Sequence, residues 1–304
     1  MSYRFTVCIA TKDRPDSLFE CLKSLEFIVD EDFEVIVVDD GSASPQRAIV
    51  CDKIDPKLLE RIKFYRNETN VGYIQVRNFL AENSSSRIAI FLDDDAHLID
   101  TSVLRAIDTI ERDSSVSAVA FKQLSSDRQP YPGSMQPSVN EHPCVVPTFC
   151  GYGHAIQISV FQGLGGYREI LQCYGEEKEF CKRLLNQGGM VVFDPSICVV
   201  HSHSQSGRSE LKRMRFNCRN SIIDAILNEP LLMLLFSVPA RVFAYWKWRK
   251  VPCKYYNIDD SGGIRWILSD VLRNLKTILK MRRPLSFSTF RKWRKLRLTP
   301  VRYG

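Results

Sequence analysis

A chain of 304 residues with 44% hydrophobic and 25% charged residues can bury a substantial core, which excludes a disordered or fibrous protein. Its net charge of +7 is unevenly placed: residues 241–304 carry 17 Lys+Arg against 3 Asp, a balance of +14, so residues 1–240 carry −7. The ten cysteines are scattered without a zinc-knuckle pair; Cys8, Cys150, Cys181 and Cys198 fall in or beside apolar segments and read as reduced thiols of a cytosolic protein.

Met1–Arg4 runs straight into a strand, so no signal peptide is expected. Tyr3–Ala10 alternates polar and apolar and predicts that first strand. Asp16 can cap a helix with apolar positions Leu18, Cys21, Leu22 and Leu25 at helical spacing. Phe33–Val38 and Ile62–Arg66 predict strands, Gly72–Asn83 a helix and Ile88–Leu92 a buried strand. Ser102–Arg112 predicts a helix and Val116–Lys122 a strand. Strands alternating with helices at these spacings predict an α/β fold with a mostly parallel central sheet.

Residues 123–150, rich in Pro, Ser and Gln, predict a loop or β-ribbon over a site. His154–Val160 predicts a strand, and Glu176–Asn186 a helix stopped by Gly188-Gly189. Met190–Phe193 and Ile197–Val200 predict two short strands around Asp194-Pro195, and the pattern from Arg208 onward is helical. Leu231–Trp248 is strongly apolar but broken by Pro239 and Arg241, short of the ~20 residues of a membrane span. It fits a core helix, or a helix lying in a membrane interface with Tyr245, Trp246 and Trp248 beside Lys247, Arg249 and Lys250. The basic cluster Arg291–Arg297 fits a solvated helical face or a surface for an anionic partner.

The chemistry-bearing residues gather at strand ends, where open α/β sheets bind ligands. Asp93-Asp94-Asp95 follows the strand Ile88–Leu92, and three carboxylates fixed there repel one another unless a cation or donor-rich ligand compensates. Mg²⁺ and Mn²⁺ prefer such oxygen ligands. An exposed acidic turn would give the same residues. Asp39-Asp40-Gly41-Ser42 follows the second strand; a carboxylate there can accept from a pyrimidine imino group or a ribose hydroxyl, although a plain Asp-Gly turn has this composition too. Asn70-Val71-Gly72 precedes a helix with Arg77 and Asn78, whose amino end and guanidinium can face phosphate oxygens. An Asn cap with a surface ion pair is the plainer reading. Glu176 and Glu177 open a helix, where they complement its dipole or supply a general base. His201 and His203 follow a strand end and can complete a metal shell, contact phosphate or sit at the surface.

Taken in order, Asp-Asp-Gly-Ser, Asn-Val-Gly with Arg-Asn, Asp-Asp-Asp and Gly-Glu-Glu with a downstream His resemble family 2 glycosyltransferases of the GT-A fold. Thr6–Arg14 also looks like that family's first strand and nucleotide loop, which brings Thr11 and Arg14 in as donor-binding candidates. The resemblance covers roughly residues 4–220. It implies a Rossmann-like GT-A domain over residues 1–220, a helical, basic C-terminal region over 221–304, a nucleotide-sugar donor, a divalent metal (Mg²⁺ or Mn²⁺) and inversion at the anomeric carbon. Carried over by position, Asp40 would hold the nucleotide base with Asp39 in support, and Asn70, Gly72, Arg77 and Asp94 would help bind the donor. Asp93 and Asp95 match the acids of the Asp-x-Asp motif, with Asp95 the direct ligand; His201 matches a histidine near the metal and diphosphate. Glu177 falls where the family usually has Asp as base. That departure, one methylene longer, leaves the choice between Glu176 and Glu177 open.

The expected activity is metal-dependent transfer from a UDP- or dTDP-linked sugar to a saccharide or lipid-linked acceptor, in assembly of a polysaccharide or glycolipid. The expected location is the cytoplasm, with peripheral contact to the inner face of the cell membrane through the basic C-terminal region. No nucleic-acid module is recognised, so no nucleic-acid partner is expected. Two readings compete: a phosphohydrolase using Asp93 and Asp95, and a non-catalytic, membrane-associated nucleotide-binding scaffold.

Overall fold

The computed structural model describes residues 3–202 and 209–304; His203 lies outside the described residues. The chain runs β1 (Phe5–Thr11), α1 (Pro15–Ser24), β2 (Phe33–Asp39), α2 (Gln46–Val50), α3 (Pro56–Leu59), β3 (Ile62–Arg66), α4 (Tyr73–Glu82), β4 (Ile88–Asp93) and β5 (Ala96–Leu98). It continues through α5 (Leu104–Arg112), β6 (Val116–Leu124), β7 (Cys144–Val146), β8 (Gly153–Gln157), α6 (Ile158–Gly163), α7 (Glu176–Asn186) and β9 (Met190–His201). Then come α8 (Glu210–Asn228), α9 (Leu231–Trp248), α10 (Lys250–Tyr255), α11 (Gly263–Arg273), α12 (Leu275–Met281), α13 (Phe287–Leu298) and β10 (Val301–Arg302).

One mixed sheet orders the strands β10-β7-β9-β6-β8-β4-β1-β2-β3, with β5 pairing β9. β3, β2, β1 and β4 are parallel, and β8 runs antiparallel between β4 and β6. β2 is apolar at nearly every position because both sheet faces are covered. Its alternate side chains enter different cores: Val35 and Val37 pack with Leu18, Leu22 and Ile107, and Ile36 and Val38 with Leu80, Phe161 and Phe180. The register sets Thr11 beside Asp39 and Ala10 beside Asp93, so the acidic loops leave the sheet at one level.

Several elements depart from the sequence expectation. α1 has Arg14, not Asp16, at its N-cap, with no side-chain cap bond; Asp16 sits in the first turn. The strand expected over His154–Val160 ends at Gln157, and the following residues coil into α6, burying Ile158 and Phe161 three positions apart. The two strands expected over Met190–Val200 are one, β9. Its pairing with β6 skips from Ala120–Phe193 to Lys122–Cys198, so Asp194-Pro195 forms a bulge rather than a break. There the Asp194 carboxylate accepts from Ser196 N–H and Oγ. Of the expected 123–150 loop, Gln123 and Leu124 extend β6 and Cys144–Val146 joins the sheet as β7.

The helical region packs around α8, which contacts α7, α9, α11 and α12. Its buried polar face bonds the α/β part: Lys182 Nζ to Asp224 (2.5 Å) and Asn228 Nδ2 to Glu179 (3.2 Å). The division drawn at 220/221 from sequence therefore lies inside one continuous helix. α13, with the basic cluster, is half docked: Trp293 and Leu296 are buried beside Leu185. Among the described residues no helix is long and apolar enough to cross a membrane.

Candidate active site

The end of β4 supplies three carboxylates with different surroundings. Asp94 accepts from Thr11 Oγ1 (2.8 Å) and Arg14 Nη1 (2.9 Å), so these two residues tie the first loop to the triplet. Burial raises the Asp94 pKa to about 6, with Asp95 and Asp93 adding to the shift and Arg14 opposing it. Asp95 is buried, 3.0 Å from His201 Nε2, whose Nδ1 meets Gln123 Nε2 at 3.0 Å. Asp93 is the most open of the three, 33% exposed, and accepts from Arg77 Nη2 at 2.6 Å. Candidate ligand atoms of Asp93, Asp95 and His201 lie within 4.8 Å of one another. Two carboxylates and one imidazole form a donor set that suits a divalent cation. β5 makes this possible: pairing of Ala96 with His201 returns the end of β9 to the triplet.

The second acidic pair holds loops. Asp39 accepts from Ser42 N–H (2.9 Å) and Gln46 N–H (3.1 Å), closing its own turn. Asp40 accepts from Asn67 Nδ2, Val71 N–H and Gly72 N–H, each at 2.9 Å, and clasps the loop before α4. Gly41, at φ +72°, lets that loop approach: a Cβ there would lie 2.7 Å from Asn70 N. Asn70 does not cap α4; the N-cap is Gly72, and Asn70 Nδ2 reaches the Asp40 carbonyl at 3.4 Å.

Arg77 is not the surface ion pair of the plainer sequence reading. It is buried, stacks 5.0 Å over Tyr73 and binds Asp93, Glu176 Oε1 (3.1 Å) and the Gly151 carbonyl (3.1 Å), with Glu177 Oε1 at 3.5 Å. The reason is electrostatic: its carboxylate neighbours outweigh the cost of burying the guanidinium and hold its pKa raised. Glu176 is sealed beneath it and also accepts from Tyr73 OH at 3.1 Å. Burial, then Glu177 beside it, raises the Glu176 pKa. Glu177 keeps 19% of its side chain exposed. The five acids Asp93, Asp94, Asp95, Glu176 and Glu177 thus face two guanidinium groups, Arg14 and Arg77. Such a site repels an anionic diphosphate unless a cation joins it.

The sequence reading passed over four contributors. A Cβ on Gly151 would lie 2.3 Å from Glu177 Oε1 and 2.9 Å from Arg77 Nη2, so a side chain there would have to displace both charged ends; the pair Gly151 and Gly153 around Tyr152 is its signal. Tyr73 OH donates to Glu176 and accepts from Tyr174 N–H, and Gln123 meets His201. Asn220 of α8 donates to the carbonyls of Leu171, Cys173 and Tyr174, just ahead of Gly175-Glu176-Glu177. These last three carry no local signal.

A profile of glycosyl transferase family 2 matches residues 6–175. The chain belongs to glycosyl transferase family 2. A curated relative, the O-antigen biosynthesis protein RfbC of Myxococcus xanthus, is 24% identical over 241 residues. That alignment takes in 68% of this chain and only 18% of RfbC. Among solved structures, S. aureus TarS 1-349 in complex with UDP superposes with a TM-score of 0.61 at 16% identity, covering 97% of this chain and 87% of that one. The mannosyltransferase PcManGT of Pyrobaculum calidifontis, in complex with GDP-Man and Mn²⁺, gives 0.58 at 15% identity, covering 98% and 88%. GalNAc-T7 with UDP, GalNAc and Mn²⁺ gives 0.60 at 18% identity, covering 75% of this chain and 49% of that one. These likenesses show the GT-A fold.

Proposed function

We propose that this family 2 chain is a metal-dependent, inverting glycosyltransferase, with Glu177 as general base and Asp93, Asp95 and His201 holding a divalent cation. The observation that carries this reading is the Arg77 guanidinium, which touches Asp93 with one arm and Glu176 and Glu177 with the other. Through it Glu177 and one of the metal-ligand candidates, Asp93, share a neighbour, and these are the two carboxylates there that reach solvent. When bound, the cation neutralises negative charge gathering on the leaving diphosphate. A mixed oxygen and nitrogen donor set favours Mn²⁺ over Mg²⁺.

Glu177 accepts the proton of the acceptor hydroxyl as its oxygen bonds to the anomeric carbon and the bond to the diphosphate breaks on the opposite face. Such a single displacement needs one base, not the paired carboxylates of a retaining glycosidase. Glu176 keeps Arg77 oriented from below. Of the roughly four acceptor positions on a carboxylate, the Asp40 loop uses three, which leaves one on Oδ2 for the imino N–H of a uridine or thymidine base. Thr11, Arg14 and Asp94 act as a unit that fixes the first loop, and Asp39, Asn70 and Gly72 shape the second. Structural neighbours in complex with GDP-Man and UDP-GlcNAc support a nucleoside-diphosphate sugar donor, and the O-antigen biosynthesis protein RfbC supports a role in surface polysaccharide or glycolipid assembly; a saccharide or lipid-linked acceptor and a cytoplasmic location are part of the same proposal.

A panel of nucleotide sugars, screened by thermal stabilisation with and without Mn²⁺, tests donor binding. The expected result is stabilisation by a UDP- or dTDP-sugar that depends on Mn²⁺ and is lost in Asp95→Ala. Unchanged stabilisation in Asp95→Ala removes the metal role, and no response to any nucleotide turns the reading to a non-catalytic scaffold whose nucleotide site has decayed.

A further inference from the structure

α9 turns an apolar face to the outside. Leu231, Leu232, Leu235, Phe236, Phe243 and Trp246 are 43–73% exposed, and Pro239 and Ala240 continue the same face between them. The opposite face, with Val238, Val242 and Tyr245, already packs against the core around α8. A helix apolar on both sides is one covered on both sides, and scattered exposed leucines do not make a continuous stripe. No acidic residue occurs between Leu231 and Ile258, whereas Arg241, Lys247, Arg249, Lys250 and Lys254 do. At the basic end Trp248, Tyr255 and Tyr256 are also exposed, beside an apolar groove of about 590 Å³ between α8, α9 and α10.

We infer that this face seats the protein on an anionic lipid leaflet. α9 lies in the plane of the interface, with Leu231–Phe243 at the acyl boundary and Lys247, Lys250 and Lys254 among the headgroups. The order of residues fits this occupant: Leu231–Ala240 carries no charge, Arg241 is paired with Glu229, and the exposed rings Trp246, Trp248, Tyr255 and Tyr256 then interleave with Lys247, Lys250 and Lys254, as in helices that rest on membranes. A second copy of the chain fits poorly: an antiparallel two-fold contact through this face would set each basic end against the uncharged Leu231 end, a parallel one would set the basic ends together, and residues 231–258 offer no acid to meet them in either case. Spanning is excluded, since the inner side of α9 is occupied by α8. The basic cluster on α13, the more obvious membrane candidate in the sequence, is not part of this surface; α13 packs on α7 and β7. This inference stands apart from the donor site, none of whose residues lies on α9.

Co-sedimentation of the full chain with phosphatidylcholine vesicles, with and without phosphatidylglycerol, tests it. The expected result is binding that rises with phosphatidylglycerol and falls with salt, with a blue shift of tryptophan emission. Leu235→Ser with Phe236→Ser should lower the partition coefficient by ~10-fold or more. Lys247→Glu with Lys250→Glu should remove the dependence on phosphatidylglycerol. All four side chains are exposed or lie on the exposed face, so unfolding temperatures should stay at the parent value, which separates lost docking from misfolding. Equal sedimentation of parent and Leu235→Ser/Phe236→Ser overturns the inference. So does a concentration-dependent dimer, abolished by that variant, in a protein that ignores vesicles.

Discussion

Glu176 lies buried against Arg77 and Tyr73, whereas Glu177, one residue on, keeps part of its carboxylate within reach of solvent. The two therefore respond differently to the same isosteric change. Glu177→Gln should keep nucleotide affinity and lose turnover by ~10²–10⁴-fold, the usual scale for a general base. Glu176→Gln keeps an acceptor for Arg77 and Tyr73 and should cost less than ~10-fold in kcat, with an unfolding temperature near the parent value, because burial and Glu177 already disfavour the charged carboxylate. Steady-state kinetics beside calorimetric titration of a nucleoside diphosphate with Mn²⁺ reads both. Equal turnover losses in the two variants would leave the base unassigned, and the reverse order would move it to Glu176. The acids of residues 93–95 and 176–177 stand out as candidates in the sequence because acids directly after a strand or at the start of a helix are conspicuous there. The burial of Arg77 among Asp93, Glu176 and Glu177 is not legible there, because a single arginine on a helix says nothing of three acids from elsewhere in the chain.

At the scale of elements, the strands were readable where both faces are buried, as in Phe33–Val38, since an uninterrupted apolar run has few other uses. β9 was read as two strands because Asp194-Pro195 looks like a turn locally, and only its pairing with β6 carries it through. The polar face of α8 was not readable at all. Asn220 acts on residues 46–49 positions away, and no periodicity reports such a contact. Arg219 Nη1 donates to Asn220 Oδ1 at 2.7 Å and so turns the amide nitrogen toward the loop. That loop places Gln172 and Tyr174 at φ +60° and +67°, left-handed conformations costing roughly 1–3 kcal/mol each at a non-glycine residue. Asn220 is thus a positioning residue that keeps Gly175-Glu176-Glu177 in register. Asn220→Ala should lower kcat by ~10²-fold, as for a misplaced group, with little change in donor KM. Asn220→Asp, with a carboxylate facing carbonyl oxygens, should do no better. A variant that lost stability but kept kcat at permissive temperature would reduce Asn220 to a structural bond.

For the whole molecule, the bonds around α8 decide whether the α/β part and the helical region fold separately. Arg219 is buried and its Nε donates to Asp270 of α11 at 2.6 Å; Arg215 Nε donates to Asp260 at 2.7 Å. A chain ended at Glu229 loses both acids, and stranding a buried charge costs about 3–5 kcal/mol. It also strips Tyr245, Ile267, Val271 and Ile278 from the core they share with Ile222 and Ile223, at about 1.5–3 kcal/mol per fully buried side chain. Against a total stability of about 5–15 kcal/mol, these losses leave little or no folded state. The full chain should therefore unfold in one cooperative step, with circular dichroism and tryptophan fluorescence coinciding in urea, and the chain ended at Glu229 should show no cooperative transition. If the shortened chain instead melts like the parent and still binds nucleotide with Mn²⁺, the helical region is a dispensable appendage. The vesicle experiment uses exposed point substitutions for the same reason: removing α9 outright would abolish the fold along with the surface.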